Sequence, residues 1–435
     1  MGQEHLKWFT AARLGMFIHW GLYAIPARGE WVKHAESLSD EAYAVYFDTF
    51  APEDYDPTDW AQLARRAGMR YAVMTAKHHD GFCLFDSQYT DYKATRTPAG
   101  RDLIAEYVRA FREAGLKVGL YYSLLDWHHP AYPVAGDPFH PRRNDPAYRD
   151  HHGDLAVYQE YLHNQVRELL TNYGRIDVMW FDFSYDHMTG DAWRAGELVR
   201  MVRRLQPDII IDNRLGGNLK SSTPEEYAGD FFSPEQYIPP EGIVDNAGQP
   251  LPWEACITLN DHWGYDAGDH HWKSARTVVR LLVECVSKGG NLLLNVGPNA
   301  RGAIPSPCRQ ILETVGEWLR LNGRSIYGCG PAAWPKPQWG WFTQNGARLY
   351  AHIEERGVGV INLRGLEGKI RYARRLSDGA EVKVERPWTV TDCPHDAFLK
   401  LPPAAPGEET MDAVIELTLH SSVSETTDMV TAAGP

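Results

Sequence analysis

The chain has 435 residues, of which 43% are hydrophobic and 23% are charged, a composition typical of a soluble globular protein. This length favours two domains, although a barrel fold can extend over about 250 residues as a single unit. The formal net charge of −13 disfavours nucleic acid and anionic membranes as partners, because a basic patch is needed to displace their counterions. No apolar run reaches the length of about 18 residues that predicts a transmembrane helix.

The six cysteines are scattered along the chain and form no Cys-x-x-Cys pair. This spacing indicates neither a disulfide framework nor a zinc knuckle, so reduced thiols in a cytoplasmic protein are expected. Residues 1–6 lack the apolar segment of a secretory signal, which agrees with a cytoplasmic location. A secretory signal trimmed from the chain is the alternative.

Five apolar runs of strand length are each followed by polar or aromatic side chains. In chain order these are 16–18 with His19, 71–74 with His78 and His79, 118–120 with Tyr121, 178–181 with Asp182, and 209–211 with Asp212 and Arg214. The C-terminal ends of parallel strands form one rim, so these side chains are expected to meet there. The pattern therefore predicts an active site at the mouth of a parallel sheet.

Amphipathic stretches of helical period separate these runs. The predicted helices cover residues 59–68, 102–115, 154–174, 191–205, 274–289 and 307–323. Three more strands are predicted near Phe231 and at residues 253–257 and 291–295. Together these elements predict a (β/α)8 TIM-like barrel, an α/β fold, over residues 1–330. An open doubly wound sheet is the alternative, but no Gly-rich phosphate-binding loop follows the first strand.

The sequence pattern changes near residue 330. Prolines and tryptophans between residues 331 and 339 indicate a linker, and short β-branched segments follow at 349–353, 358–363, 370–373, 380–384 and 413–419. These segments predict a small antiparallel β-sandwich over residues 336–435, because turn residues separate them and no helical period connects them. The Ser- and Thr-rich tail after His420 is expected to be mobile.

Asp182 is the strongest candidate for a nucleophile or base. A charged side chain that closes a buried strand is poorly placed for packing but well placed for chemistry. The alternating faces of a strand put Val178, Trp180 and Asp182 on one side, so Asp177 is expected to point the other way. A rim carboxylate that caps the following helix is the structural alternative.

A hydrolase with a carboxylate nucleophile needs a second carboxyl group as acid/base. Glu235 follows a pair of aromatic residues, which are expected to form an apolar wall that favours its protonated form. Glu225 and Glu226 follow a helix-start pattern and are interpreted as capping or solvated residues. Glu254 is the rival acid, but it lies early in its strand, where a structural role is expected.

Adjacent histidine pairs raise the alternative of a metal-dependent barrel hydrolase; they are His78-His79, His128-His129 and His270-His271. Metal-binding barrels usually place a His-x-His pair on one strand face, whereas adjacent residues of a strand point to opposite faces. No metal site is therefore predicted. The 15 Trp and 22 Tyr offer flat apolar faces with a polar tip, which suit the binding of sugars. Neutral histidines are therefore expected to donate hydrogen bonds to sugar hydroxyls, and Arg214 to orient a carboxylate or bind a hydroxyl.

Six short motifs occur in order between residues 17 and 298: Phe17-Ile18-His19-Trp20-Gly21, Gly29-Glu30-Trp31, Lys77-His78-His79-Asp80-Gly81-Phe82, Gly119-Leu120-Tyr121-Tyr122-Ser123, Trp180-Phe181-Asp182 and Gly289-Gly290-Asn291-Leu292-Leu293-Leu294-Asn295-Val296-Gly297-Pro298. Together they resemble the α-L-fucosidases of glycoside hydrolase family 29. The resemblance extends over roughly residues 8 to 330, and the ordered set is far more specific than any single motif. The C-terminal segment adds only a compatible β-rich composition.

The resemblance implies a retaining exo-glycosidase that removes terminal α-L-fucose from oligosaccharides or glycoconjugates through a covalent fucosyl-Asp intermediate. By the family pattern, Asp182 is the nucleophile and Glu235 is the acid/base, with Glu254 as the alternative acid/base. The sugar-binding residues that the resemblance implies are His19, Glu30, Trp31, His78, His79, Tyr121 and Arg214. No cofactor and no metal are expected, and assembly as a homo-oligomer is left open.

Phe183 departs from the family pattern, because members commonly have Gly directly after the nucleophile. A phenylalanine there narrows the pocket or changes which sugar or aglycone is accepted, so an α-L-galactoside is an alternative substrate. A sugar-binding module without catalysis is a further alternative, but the presence of both Asp182 and Glu235 argues against it. The methyl group of fucose is expected to contact an aromatic ring, with three candidates: Trp31, Phe232 and Trp263.

Overall fold

The structure is a computed structural model that describes residues 3–355, 359–385, 392–401 and 411–420. The described residues fall into two compact units, one formed by residues up to 273 with 291–313 and the other by residues 274–290 with those from 314 onward. The predicted division at residue 330 stays a prediction. The tail after His420, predicted to be mobile, lies outside the described residues.

Seven parallel strands form the sheet of the first unit: β1 (Leu14–Ile18), β2 (Tyr71–Lys77), β3 (Lys117–Ser123), β4 (Val178–Asp182), β5 (Ile210–Ile211), β6 (Glu254–Thr258) and β7 (Asn291–Val296). They lie in the order β5-β4-β3-β2-β1-β7-β6. Every neighbouring pair is parallel, which fits strands joined by crossover connections.

Residues 231–235 complete this sheet between β5 and β6. They form parallel bridges with Asp212 on one side and with Trp253 and Cys256 on the other. On the β6 side, the N–H of Cys256 donates to the carbonyl of Pro234 at 3.0 Å. The segment thus occupies the eighth strand position, and the predicted (β/α)8-like barrel is confirmed.

The helices of the described residues are α1 (Lys7–Ala12), α2 (Val32–Ala35), α3 (Asp40–Thr49), α4 (Pro57–Arg66), α5 (Leu103–Glu113), α6 (Leu155–Asn172), α7 (Ala195–Leu205), α8 (Ala275–Ser287) and α9 (Ser306–Asn322). Asp102 and Asp154 cap α5 and α6 by accepting a hydrogen bond from a backbone N–H of the first turn. The structure begins α4 two residues before the predicted Asp59, because Asp56 is its cap and Pro57 has the fixed φ of a first helical residue. None of the described helices is long and apolar enough to cross a membrane.

Side chains that alternate along the strands fill the inside of the barrel. Val178 and Trp180 both belong to this buried cluster, as predicted for the strand face that carries Asp182. Helix α1 closes the end at which the strands begin, where the ring of Phe9 lies 4.7 Å from that of Phe231. The end of the barrel at which the strands begin is therefore filled by packed side chains.

The second unit contains two antiparallel sheets. Their strands are β8 (Gly340–Asn345), β9 (Arg348–Ile353), β10 (Ile361–Leu363), β11 (Ile370–Arg375), β12 (Lys383–Glu385), β13 (Ala397–Lys400) and β14 (Ala413–Leu419). One sheet has the order β11-β14-β9-β8 and the other β10-β13-β12. Leu349, Leu363 and Leu399, from both sheets, share one buried cluster, so the predicted β-sandwich is confirmed. Strands β8 and β13 are missing from the prediction, and β8 directly follows the Pro- and Trp-rich segment that indicates a linker.

Gly15 in β1 provides a test of the packing inside the barrel. A Cβ atom at this position would lie 2.5 Å from ring carbons of the fully buried Tyr71. We expect Gly15→Ala to destabilise the protein by about 1–3 kcal/mol, because overpacking displaces well-packed neighbours. The fall in the midpoint of urea unfolding of the full chain measures this effect. Gly268→Ala is the matched control, because Gly268 lies in an exposed loop and the atom nearest to its added Cβ would be a carboxylate oxygen at 3.3 Å. An equal fall in both variants would contradict the prediction.

Candidate active site

A cavity of about 340 Å³, called the inner cavity here, opens where the barrel strands end. Eight of the predicted site residues line it: His19, Trp31, His78, His79, Tyr121, Asp182, Arg214 and Glu235. They come from the ends of β1 to β5, from the segment at the eighth strand position and from the loop after β1. The sheet thus brings together side chains that lie up to 216 residues apart, from His19 to Glu235 (235 − 19).

The Asp182 carboxylate is held by one donor on each oxygen. The Tyr121 hydroxyl donates to Oδ2 at 2.7 Å, and Nη1 of Arg214 donates to Oδ1 at 2.7 Å. Nε2 of His79 lies 3.8 Å from Oδ2. Burial raises the pKa of Tyr121, and the charge of Asp182 adds to the rise, so the hydroxyl stays protonated and keeps its role as donor. The carboxylate therefore has a fixed orientation at the end of β4.

Arg214 connects the two candidate catalytic acids. Its Nη1 contacts Asp182, while its Nη2 donates to Oε2 of Glu235 at 2.9 Å. Nε donates to the Ser233 hydroxyl at 3.0 Å, and the guanidinium lies 4.5 Å from the centre of the Trp180 ring. Burial opposes the charge of Arg214, but neighbouring acidic groups, Asp182 first among them, outweigh it and raise the pKa of this arginine. One rigid cation thus fixes both acids on the same side of the cavity.

Glu235 reaches the cavity, but its surroundings differ from the expectation. Its side chain is 44% exposed and pairs with Arg214. The expectation that an apolar wall surrounds Glu235 is therefore wrong. In an extended segment, residues 231, 233 and 235 share one face. Phe231 therefore packs inside the barrel below Glu235, and Phe232 on the other face does not line the inner cavity.

Glu254 is fully buried at the start of β6 and is absent from the described lining of the inner cavity. It accepts hydrogen bonds from the Tyr71 hydroxyl and, at 3.2 Å, from Nε1 of Trp180. Because the face of the Trp180 ring carries Arg214, Glu254 positions the floor under the two acids. This location supports the structural role expected from its place early in the strand.

The hydrogen bonds of His19 determine which of its ring nitrogens faces a ligand as an acceptor. Nδ1 lies 2.8 Å from Oδ1 of Asn295, and Nδ2 of Asn295 donates to the Trp263 carbonyl at 2.7 Å. The amide orientation requires His19 to donate through Nδ1, which leaves Nε2 as an acceptor. Burial lowers the pKa of His19 to about 3, so the ring is neutral near pH 7.

His79 has the same arrangement. Its Nδ1 lies 2.7 Å from the Ser123 hydroxyl, which itself donates to the Leu125 carbonyl at 2.8 Å. His79 therefore donates through Nδ1, and its Nε2 is an acceptor near Asp182. Burial lowers the pKa of His79 to about 4, although the charge of Asp182 opposes the shift. Both rings thus present an acceptor to the inner cavity, the reverse of the expected donation.

The adjacent histidines His78 and His79 both line the inner cavity. The argument that neighbours point to opposite faces fails here, because β2 ends at Lys77 and both residues lie in the turn that follows. That turn requires Gly81, which has φ +82° and whose Cβ would lie 2.3 Å from Oδ1 of Asp126. Within the described ranges, no group of three or more His, Cys, Asp or Glu side chains is placed to hold a metal ion.

Glu30 is buried beside the cavity but does not contribute to its described lining. Its Oε2 accepts a hydrogen bond from the N–H of Gly264 at 2.8 Å, which ties the loop after β1 to the loop after β6. Burial raises the pKa of this carboxyl. A direct contact of Glu30 with a sugar stays a prediction.

Five residues line the inner cavity without being in the predicted set of site residues: Phe17, Trp180, Phe183, Cys256 and Trp263. Side chains two residues apart on a strand share a face, so Trp180 could have been inferred from Asp182. Cys256 could have been inferred in the same way from Glu254, if Glu254 had been expected to face inward. Of the three candidates for an aromatic contact to a methyl group, Trp31 and Trp263 line the cavity. Trp263 lies in a loop, where no periodic signal could have located it.

Comparison with known proteins agrees with this geometry. A family model described as Alpha-L-fucosidase matches residues 2–324. The chain belongs to the α-L-fucosidase family. It is therefore a glycoside hydrolase. Human tissue α-L-fucosidase is 28% identical to this chain over 428 residues, and the match covers 92% of this chain and 85% of that relative.

Solved structures of the same family resemble the whole chain. α-L-Fucosidase isoenzyme 1 from Paenibacillus thiaminolyticus has a TM-score of 0.94 and 60% sequence identity, with 96% of this chain and 99% of that chain covered. A family 29 α-L-fucosidase from Bacteroides thetaiotaomicron, trapped as a covalent intermediate in complex with 2-fluoro-fucosyl fluoride, has a TM-score of 0.83 and 26% identity. That match covers 97% of each chain.

The location of Glu254 predicts a specific pH dependence of stability. Burial raises its pKa from 4.5 to about 7, although hydrogen bonds from Tyr71 and Trp180 oppose the rise. The folded protein then binds this proton more tightly than the unfolded chain, so the contribution of Glu254 to stability falls as pH rises from 4.5 to about 7. We expect Glu254→Gln to remove this part of the pH dependence. The unfolding free energy of the variant, relative to that of the wild type, should therefore rise by about 1–3 kcal/mol as pH increases over this range.

Urea unfolding of both proteins between pH 4.5 and about 7 measures this difference. Glu241→Gln, at an exposed position, is the control and should follow the wild type at every pH. A difference between Glu254→Gln and the wild type that stays constant with pH would refute the assignment.

Proposed function

We propose that the protein is a retaining exo-α-L-fucosidase that acts by double displacement. The observation that carries the proposal is the pair of acids, Asp182 and Glu235, bound to the two terminal nitrogens of one arginine. A retaining glycosidase needs its two carboxyl groups only about 5–5.5 Å apart, whereas an inverting enzyme leaves space for a water molecule between them. Two carboxylates on one guanidinium favour the shorter separation.

The roles of the two acids follow from their surroundings. Asp182 is buried with a fixed orientation, which suits a nucleophile that must approach the anomeric carbon along one line. Glu235 is partly exposed at the outer side of the cavity, where a leaving oxygen and then a water molecule can reach it. In the first step Asp182 forms the ester to the anomeric carbon while Glu235 gives its proton to the departing oxygen. In the second step Glu235 takes a proton from water, which attacks the anomeric carbon and releases Asp182.

The inner cavity fits a single terminal sugar. Neutral His19 and His79 accept hydrogen bonds from hydroxyl groups, while Trp31 and Trp263 supply apolar faces for a methyl group. The proposed substrate is a fucosylated oligosaccharide or glycoconjugate with fucose at its end. The covalent intermediate trapped in the Bacteroides relative supports the same two-step route here. A cytoplasmic location and assembly as a homo-oligomer stay predictions.

The Asp182→Ala variant tests the nucleophile. We expect hydrolysis of an aryl α-L-fucoside to fall at least about a thousandfold, because no other group can form the ester. Added azide should partly restore activity from the vacated side and give the fucosyl azide of inverted configuration. Asp208→Ala, at an exposed position before β5, is the control. Wild-type rates in Asp182→Ala would remove the central assignment, and a rescued product of retained configuration would mark Asp182 as an acid/base instead.

The Glu235→Ala variant tests the acid/base. Substrates with poor leaving groups should lose roughly 10²–10⁴-fold in kcat/KM, because their oxygen needs a proton as it departs. Substrates with good leaving groups should lose far less in the first step. Glu254→Gln is the matched variant and should show no such dependence on the leaving group. The opposite pattern would exchange the roles of the two glutamates.

A further inference from the structure

A second and wider cavity, called the outer cavity here, adjoins the inner one. Its volume is about 880 Å³ when the space open to solvent is included, and the two cavities share four residues: Asp182, Phe183, Arg214 and Glu235. Because both candidate catalytic acids lie on the shared wall, the reacting bond of a substrate is located at this junction. The sugar to be released fills the inner cavity, so the outer cavity receives whatever that sugar is attached to.

Phe183 forms the aromatic part of this junction. Its half-buried ring lies 4.8 Å from the ring of Phe139, 5.3 Å edge-on from His79 and 5.9 Å from Trp31. Tyr185, which lines the outer cavity only, lies 6.3 Å from it. Rings on several sides hold Phe183 in place, so it presents a rigid apolar surface to the outer cavity.

The backbone of Phe183 is in a conformation that favours glycine. Its φ is +90°, which is a strained value for a bulky residue and costs of the order of 1–3 kcal/mol. Glycine would adopt this φ without that cost. The ring therefore occupies the position directly after Asp182 against its own backbone preference, and strain of this kind concentrates where a ligand is clamped.

Polar groups surround the aromatic surface. Oδ1 of Asn213 accepts hydrogen bonds from both the N–H and the hydroxyl of Ser233 at 3.0 and 3.1 Å, which fixes the amide. Because Oδ1 is thereby fixed as the acceptor, Nδ2 of Asn213 is the donor that this amide offers. Thr189 and Asp186 line the same cavity. An aromatic face with fixed polar groups around it matches a pyranose ring, which has apolar C–H faces and a rim of hydroxyls.

We propose that the Phe183 ring is the specificity-determining wall of the outer cavity and selects among the sugar units to which the released fucose is attached. The inference rests on the proposed function and deepens it, because it assigns the choice of aglycone and linkage to one side chain. An alkyl or lipid aglycone would leave the polar groups of Asn213, Thr189 and Asp186 without partners.

The test compares two substrates in the wild type, Phe183→Ala and Phe183→Tyr. α-L-Fucosyl fluoride is the reference, because fluoride cannot fill the outer cavity and needs no protonation to leave. Fucosyl disaccharides with different linkages are the probes. We expect Phe183→Ala to lower the ratio of kcat/KM for at least one disaccharide to kcat/KM for the fluoride by roughly three- to tenfold, since an aromatic contact of this size is lost. Phe183→Tyr keeps the aromatic face and should keep the wild-type ratio of disaccharide to fluoride.

Phe183→Gly separates the ring from the backbone strain. Like the alanine variant it lacks the ring, but it accepts the φ of +90° and should therefore unfold at a higher temperature than Phe183→Ala. We expect both variants to lose the same preference for the disaccharide. A preference retained in Phe183→Gly but lost in Phe183→Ala would overturn the role of the ring.

The outcomes distinguish this inference from the proposed function. A wild type that does not hydrolyse fucosyl fluoride would remove the proposed function itself. An active wild type whose Ala and Gly variants lose fluoride and disaccharide hydrolysis equally would overturn the subsite, because the ring would then act on the inner sugar. Unchanged rates on every disaccharide would overturn it as well.

Discussion

The site depends on one half-buried cation. Arg214 contacts Asp182, Glu235 and Ser233 with different nitrogens and lies on the face of Trp180. A lysine could not reproduce this arrangement, because its ammonium is a point charge without the planar fork of donors. Two carboxylates brought together without such a cation would repel each other, so the arginine is what allows both acids to share one small space.

The support for this cation extends down into the barrel. Trp180 lies beneath the guanidinium and donates to Glu254, which also accepts from Tyr71 on β2. The chain of contacts crosses from β5 through β4 and β6 to β2, so the position of Arg214 is set by the closed sheet and not by its own loop. The packing of the core and the alignment of the two acids are therefore consequences of the same contacts.

Much of this arrangement could be predicted from the sequence, because it follows simple periodicities. Apolar runs that end in polar groups identify the parallel strands, and the alternation of two along β4 places Asp182 inward with Trp180. The alternation rule fails where the backbone leaves the strand, because His78 and His79 lie in a turn and both reach the cavity. Trp263 lies in a loop without periodicity, so it could be named only as one of three candidates for an aromatic contact. The surroundings of Glu235 could not be predicted from the sequence either. Its partner Arg214 lies 21 residues away in the chain, and only the closed sheet brings the two side chains together.

The segment at the eighth strand position holds Glu235 in a different way from that in which β4 holds Asp182. Between β5 and β6 the chain forms no α-helix, and residues 231–235 join the sheet through isolated bridges. Main-chain hydrogen bonds attach the segment, such as the bond from the N–H of Cys256 to the carbonyl of Pro234. Any residue can make such bonds, except that proline has no N–H to donate. A change of the Glu235 side chain, which is 44% exposed, therefore leaves these main-chain bonds in place. The sheet thus holds the two candidate acids in different ways, Asp182 at the end of a regular strand and Glu235 on a segment joined by single bridges.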